Sequence, residues 1–484
     1  MFRIMKINII KVMASAACLC LLASSCSEKF LETSSSTDID DSLIYEDAGT
    51  AEGVLFGIYK YMRSWGCTSS NRADCCGLHT NLLTFDAMGN DINMEPGSWY
   101  WYDYDYWHTC DENVFKTSHF WEFYYTIINN CNNILFYIDD IPGGEEIRNS
   151  VKGQALALRA MSYFHLIQLY QQPYAVAKDM PGVPVYTVPA TADALNNPRA
   201  TVSEVYGRIL EDLEEAVTLL GTDRESKYYV NRNVAYGLLA RVNLTMENWA
   251  LADADAATAM EGYQIMSAEE WASGFNSNDI SEWIWGVHQS SDQNVGWGST
   301  FSFMDYERGD QKSMRISSDL YETYSDTDIR KSLITKVGDL YGNRKFREPE
   351  TLNLGHMVLM RASEMVLIRA EAKARQGDDK GASELLYSLV SQRDPDYVRT
   401  SATGNELIEE ILLERRKELW GEGFSLFDML RTGKGLDRGG DHRSRHDYPA
   451  GSWKFIFSIP RAEIDVNDGI SEADQNPTDG VFTR

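Results

Sequence analysis

Leu239-Ala240-Arg241-Val242-Asn243-Leu244 leads into a short polar turn at Glu247-Asn248 and then into residues 249–260. Arg369-Ala370-Glu371-Ala372-Lys373-Ala374 leads into Gly377-Asp378 and then into residues 380–389. The two segments repeat one design, with Ala240 matching Ala370 and Ala252 matching Ala382. Small residues at matching helical positions let two paired helices approach closely. A helix, a short polar turn and a second helix make the packing unit of tetratricopeptide-style solenoids. The full tetratricopeptide consensus is absent from both segments. The reading is an all-α fold in the main, a scaffold of tetratricopeptide-like helix pairs.

Outward from these pairs, helical periodicity continues. Residues 120–138 repeat apolar side chains at helical spacing. Residues 151–170 do so more strongly through Leu156, Ala160, Phe164, Ile167 and Leu169, and Pro173 follows as a stop. Residues 201–220 start with Thr201 and Ser203 as candidate caps, carry Glu204, Glu211 and Asp212, and end at Gly221. Residues 357–375 and 405–420 also read as helical. Two stretches do not, 64–117 and 262–356, both rich in Gly, Ser, Asp and aromatics. Long irregular segments on a helical scaffold are where function tends to sit.

The chain has 484 residues, with 45 Lys plus Arg against 72 Asp plus Glu, a formal net charge of −27. So acidic a body has no broad attraction for nucleic acid or anionic lipid. At 43% hydrophobic residues it has ample material for a core. Arg3, Lys6 and Lys11 precede an apolar run over 12–22, too short to span a bilayer, that ends in Leu22-Ala23-Ser24-Ser25-Cys26. This predicts a lipoprotein signal peptide over 1–25, acylation of Cys26, and attachment to the outer membrane through that lipid. Removing residues 1–25 takes the net charge from −27 to −30. Residues 34–41, rich in Ser, Thr and Asp, read as a tether. Cys67, Cys75, Cys76, Cys110 and Cys131 are an odd number. Cys67 with Cys75 or Cys76, and Cys110 with Cys131, are the local pairings open to an exported chain.

Motifs for catalysis and cofactors are missing. There is no phosphate-binding glycine loop, dinucleotide fingerprint, zincin helix or nucleophile elbow. The expectation is no enzyme, no cofactor and no metal. His442 and His446 have ligand spacing, but Gly439, Gly440 and Pro449 around them point to a solvated loop.

Trp99-Tyr100-Trp101-Tyr102-Asp103-Tyr104-Asp105-Tyr106-Trp107 holds seven aromatics in nine residues. If extended, Trp99, Trp101 and Trp107 share one face and the tyrosines the other. Indole faces stack on the C–H faces of sugar rings, while carboxylates and amides bind hydroxyls. A second group is Trp283, Trp285, Trp297, Phe301 and Tyr306, with His288, Asn294 and Arg308 nearby. The candidate ligand residues are therefore Asp91, Asn93, Trp99, Trp101, Tyr102, Trp285, His288, Trp297, Tyr306 and Arg308. Most aromatics pack cores, so about a third of these are expected to be exposed in a site. Asp91, Glu95, Asp103, Asp105 and Asp111 flank the first group. That predicts a neutral sugar over a sulfated or uronic one.

Six segments in order resemble the RagB/SusD family of surface glycan-binding lipoproteins. They are Phe30-Leu31-Glu32 after Cys26; Trp121, Tyr125, Asn129 and Asn132-Asn133; Arg159-Ala160-Met161-Ser162-Tyr163-Phe164 with Leu169-Tyr170; Pro198-Arg199-Ala200-Thr201 leading to Asp212-Leu213-Glu214-Glu215-Ala216; Glu414-Arg415-Arg416-Lys417-Glu418-Leu419 with Gly423 and Phe427-Asp428-Met429-Leu430-Arg431; and Ile459-Pro460 with Glu463-Ile464 and Gln475-Asn476-Pro477. Gln172 departs from the glycine usual in the family before the proline at 173. The resemblance implies a helix-pair scaffold whose long loops carry the ligand site. It also implies an oligosaccharide ligand and a partner, a SusC-like TonB-dependent transporter. It divides the chain into the signal, 1–25, and a body, 26–484, made of 26–230, 231–356 and 357–484. Residues 414–431 read as structural, their charges paired inside the fold. A peptide-binding member of the family, a carboxylate-pair glycoside hydrolase and a helical adaptor are the alternatives.

Overall fold

Helix Glu145–Tyr170 owes its length to an apolar face that neighbours cover on several sides. Eighteen of its residues are buried, from Val151 to Tyr170. In the computed structural model, which describes residues 45–191, 196–351 and 354–483, it is α4 of a row of packed helices. The signal segment, Cys26, the tether and Phe30-Leu31-Glu32 lie outside the described residues. The helices used below are α1 Ala48–Tyr61, α2 Leu78–Ala87, α3 Phe115–Tyr137, α4 Glu145–Tyr170, α5 Val202–Leu219, α6 Arg232–Thr245, α7 Trp249–Ala259, α8 Ala362–Arg375, α9 Asp379–Val390, α10 Gly404–Glu418 and α11 Ser425–Arg431. Each of α3 to α8 packs on the next, and α8 packs on both α9 and α10.

The two pairs read from sequence are α6–α7 and α8–α9. Their turns use a left-handed residue each, Glu247 at φ 63° and Gly377 at φ 82°. Ala240, Ala252, Ala370 and Ala382 are fully buried between helices. Helix α5 begins with a capping box: Thr201 accepts from the Glu204 N–H, and the Glu204 carboxylate accepts from the Thr201 N–H. Arg159 on α4 grips Asp212 on α5 with two bonds of 2.7 Å and reaches Asn132 on α3 at 2.8 Å. One buried guanidinium thus fixes three helices.

The expected helix over 357–375 starts late. Met357–Arg361 is a strand, pairing antiparallel with Trp283–Val287. All five of its residues are buried, and periodicity cannot separate a short fully buried strand from helix. The 262–356 segment also supplies part of a small sheet, ordered Ile92–Met94, Met314–Ile316, Leu340–Asn343, Ile334–Val337. No helix among the described residues is long and apolar enough to cross a membrane.

Where the strand Met357–Arg361 runs into α8 lies a buried ionic network. Arg361 donates to Glu282 at 2.7 Å, Glu418 at 2.9 Å and Glu422 at 2.8 Å. Arg393 pairs with Glu418 at 3.0 Å, and Arg330 pairs with Asp328 and Glu414 at 2.7 Å and Glu418 at 3.1 Å. The Trp271 ring covers Arg361 and Arg393. Nearby, Asp428 holds Arg415 at 2.6 Å and Arg431 at 2.8 Å. The charges of 414–431 are internal pairs, as the sequence reading has them.

Candidate functional site

Three loops meet beside α1. The first leaves α1 and returns at α2, and it is pinched at its base. The Leu78 N–H donates to the Met62 carbonyl at 2.8 Å, and Gly77 has φ +100°. A Cβ on Gly77 would stand 2.3 Å from the Met62 oxygen, so only glycine closes this loop. The loop carries Trp65, whose indole N–H donates to Asn71 inside the same loop.

The second loop carries Trp99. Residues 101–104 form a helical turn, which overturns the extended reading of 99–107. Tyr100 and Tyr104 fall one turn apart and are both fully buried. Tyr106 has φ 58°, which sends its ring inward and leaves Trp107 66% exposed. Lys116, fully buried, stands 3.6 Å from Asp103 and 3.7 Å from Asp74, and its ammonium donates to the Asp74 carbonyl at 2.7 Å. Asp74 in turn holds Arg72 at 2.9 Å. The Arg72 guanidinium lies 4.0 Å from the Phe115 ring and 5.1 Å from that of Trp99. One lysine thus ties the first loop to the second.

The third loop carries Trp297 on a single helical turn, Gly296–Gly298. A Cβ on Gly298 would meet Cys76 Sγ at 2.8 Å and the Trp65 ring at 3.0 Å. His79 bonds the Gly298 carbonyl at 3.1 Å, and burial lowers its pKa to about 4, so it stays neutral. The result is an aromatic platform. The Trp297 ring centroid lies 5.3 Å from Trp65 and 5.6 Å from Trp99, tilted 49° and 54°. Trp297 is 43% exposed, while Trp65 and Trp99 are half-buried.

A cleft of about 440 Å³ lies along α1, residues 228–229 and residues 285–293. Its lining includes Phe56, Lys60, Arg63, Tyr228, Tyr229 and His288. Trp285 lies against it, 1% exposed, its indole N–H held by the Tyr228 carbonyl at 2.9 Å. His288 stacks on Tyr228 at 4.5 Å. Burial, with the nearby Arg63 charge, lowers the pKa of His288. Arg63 donates to the His288 carbonyl at 2.6 Å and to Gln293 at 2.8 Å, and so joins the first and third loops.

The sequence candidates therefore separate. Trp99 and Trp297, from the two aromatic groups, come together, and Trp285 and His288 belong to the adjoining cleft. Trp101 is half-buried against Tyr104 at 5.5 Å. Tyr102 is exposed beside Trp107. Tyr306 packs on Gly342, and Arg308 donates to the carbonyls of Glu348 and Glu350. Asp91 is buried on Arg416 at 2.6 Å, and Asn93 is buried and bonds the Asp441 carbonyl at 2.7 Å. Trp283 and Phe301 are fully buried. Sequence reading missed Trp65, which lies in a flagged irregular stretch, and Arg63, Phe56 and Tyr228-Tyr229. The last two carried only the signal of adjacent aromatics before a helix.

Most of the acids around the first aromatic group have partners in the fold, while Asp111 stays exposed with only Asn113 bonded to its carboxylate. Asp103 holds Lys116 and His108, Asp105 bonds Ser444 and His446, and Glu95 pairs with Arg443. The neutral-sugar expectation thus rests on fewer free acids than the sequence offers. His442 is buried, stacked on Tyr104 and bonded to its hydroxyl at 2.8 Å, which corrects the solvated-loop reading. No cluster among the described residues could hold a metal ion. Cys67, Cys75, Cys76, Cys110 and Cys131 are free thiols, so the local pairings open to the sequence do not form. Cys131 faces the core from α3, and burial pushes the Cys67 thiol up to about 12.

Residues 75–244 match the model of a SusD-like family described as starch-binding and associating with the outer membrane. Residues 280–478 match the model of the SusD family. The fold is similar to a SusD-like carbohydrate binding protein from Bacteroides vulgatus, 29% identical, covering 90% of this chain and 99% of that one with a TM-score of 0.81. It is also similar in fold to surface glycan-binding protein A from Bacteroides fluxus, 21% identical, covering 89% and 99%, TM-score 0.71. Among curated proteins, SusD-like protein P38 of Formosa agariphila is 23% identical over 66% of this chain and 72% of that protein.

Proposed function

This chain belongs to the SusD/RagB family, and from that premise we propose that it captures oligosaccharide at the cell surface and delivers it to a SusC-like TonB-dependent outer-membrane transporter. The observation that carries the reading is the meeting of Trp65, Trp99 and Trp297 from three separate loops. Three indoles held at fixed tilts, one of them 43% exposed, offer curved apolar faces to sugar rings. The loops that present them are pinned by a buried lysine and a glycine closure, so little ordering cost falls on binding. The similarity to a carbohydrate binding protein at 29% identity supports the same ligand class. In this reading the protein binds without catalysis, and Cys26 carries the lipid that holds it on the outer membrane.

Titration of the purified protein against a glycan panel tests the ligand class. Binding to at least one oligosaccharide is expected, together with its loss in a Trp99→Ala, Trp297→Ala double variant. A peptide retained on purification with no response to any glycan would move the reading to peptide capture. Release of reducing ends over hours would contradict binding without catalysis. For the anchor, an alkyne fatty acid fed to expressing cells should label the wild type and leave a Cys26→Ala variant unlabelled.

A further inference from the structure

The cleft beside the platform has a charge character opposite to that of the chain. The protein carries a formal net charge of −27, yet the cleft lining holds two cations, Lys60 and Arg63, and no Asp or Glu. Neither cation has an ion-pair partner among the described residues. The Arg63 guanidinium donates only to neutral acceptors, the His288 carbonyl and Gln293 Oε1. It is half-buried, and a partly desolvated guanidinium without a counter-ion gains from an anion brought to it. Asp292 is exposed and outside the lining; its carboxylate bonds Ser290 and feels the Arg63 charge without forming an ion pair with it, and Glu52 and Glu225 also stand outside the lining. Aromatic faces surround the cations: Phe56 is 39% exposed, and Tyr229 packs 5.1 Å from it. His288 Nδ1 is buried and has no hydrogen-bond partner among the described residues.

Two of the loops that carry the platform also contribute to the cleft lining. Arg63 stands two residues before Trp65, and its partner Gln293 stands four before Trp297. We infer that the cleft is a second subsite of the same site, and that it takes an acidic sugar unit, a uronate carboxylate or a sulfate ester, next to the ring stacked on the tryptophans. This rests on the glycan reading above and names its ligand class. It departs from the neutral sugar predicted from the acids around the first aromatic group, of which Asp91 and Asp103 are paired inside the fold.

The test is calorimetric titration of the purified protein with matched pairs. One pair is an oligogalacturonide and its carboxyl-reduced form; the other is a sulfated galactan oligosaccharide and its desulfated form. In at least one pair the anionic member should bind about tenfold more tightly at roughly 20 mM salt, with the gap shrinking in about 0.5 M salt. A Lys60→Gln, Arg63→Gln double variant should lose this gap. Lys60→Gln alone, at an exposed position that leaves folding intact, should lose part of the gap. A carboxylate-only or sulfate-only preference identifies which acid the subsite reads. A neutral member binding as tightly as its anionic twin in every pair that binds would overturn the subsite and leave glycan capture standing. A preference that survives the double variant would overturn it as well. Silence of all four sugars with binding elsewhere in the glycan panel would overturn the subsite alone, and silence across the whole panel would remove the glycan reading and the subsite together.

Discussion

Trp297 and Trp283 are fourteen positions apart, and chemistry alone does not tell them apart. Trp297 is 43% exposed on the platform, and Trp283 is fully buried in the strand that pairs with Met357–Arg361. Trp297→Ala should therefore weaken glycan binding by about 1–2 kcal/mol, roughly five- to thirtyfold, with the melting temperature unchanged. Trp283→Ala should cost about 3–5 kcal/mol of folding free energy through the cavity it leaves. Calorimetry and urea unfolding on the two variants separate the roles. A loss of stability in Trp297→Ala as large as in Trp283→Ala would remove Trp297 from the ligand face. Sequence reading could name both as aromatics in irregular segments. It could not rank them, because exposure depends on which other loop arrives to cover each ring.

At the scale of elements, the site depends on how loops are closed. The loop bearing Trp65 is shut by Gly77, whose φ of +100° and contact with the Met62 carbonyl leave no room for a side chain. Gly77→Ala should cost about 2–4 kcal/mol by urea unfolding, since both backbone strain and a collision must be relieved. It should also weaken glycan binding, because the base of the platform must shift to relieve the clash. Unchanged stability and affinity would show that the loop closes in some other way. The helices behaved differently. Residues 201–220 read correctly from end to end, because the capping box and amphipathic spacing are local. Residues 357–361 did not, because a short buried strand and a buried helix turn carry the same apolar run, and only the partner strand Trp283–Val287 decides between them.

At the scale of the molecule, the buried ionic network sets the response to acid. Desolvation works to raise Glu418, but Arg393, Arg361 and Arg330 outweigh it and hold the carboxyl below the ordinary range. Glu422, Glu414, Glu371 and Asp428 are lowered in the same way, each against its own desolvation, by Arg361, Arg330, Arg431 and Arg415 respectively. A carboxyl whose pKa is depressed on folding contributes stability that is complete above its unfolded value and is lost as pH falls toward its folded value. Urea unfolding between about pH 3 and pH 8 should therefore show a shallow loss below roughly pH 6.5, where buried neutral histidines such as His79 and His442 would charge on unfolding, and a steeper loss below roughly pH 4.5 from the carboxyls. Glu418→Gln should cost about 3–5 kcal/mol at neutral pH, since it leaves buried guanidinium groups short of an anion, and should flatten the acid slope. An unaltered slope in that variant would place the acid sensitivity elsewhere.

The sequence by itself determined the helices, their pairing and the family. Caps, 3.6-residue periodicity and small residues at contact positions act within one or two turns, and they survive without knowledge of the rest of the chain. It also marked the two irregular stretches in which Trp65, Trp99 and Trp297 lie. Only the tertiary structure decided which aromatics form a site. Trp65, Trp99 and Trp297 come from three loops far apart in the chain, and their meeting rests on a glycine closure, a buried lysine between two aspartates and the close approach at Gly298. It also decided where charge is spent. Asp91 and Asp103 turn inward to Arg416 and Lys116, because a buried carboxylate must be paired, while Lys60 and Arg63, without ion-pair partners among the described residues, line the cleft.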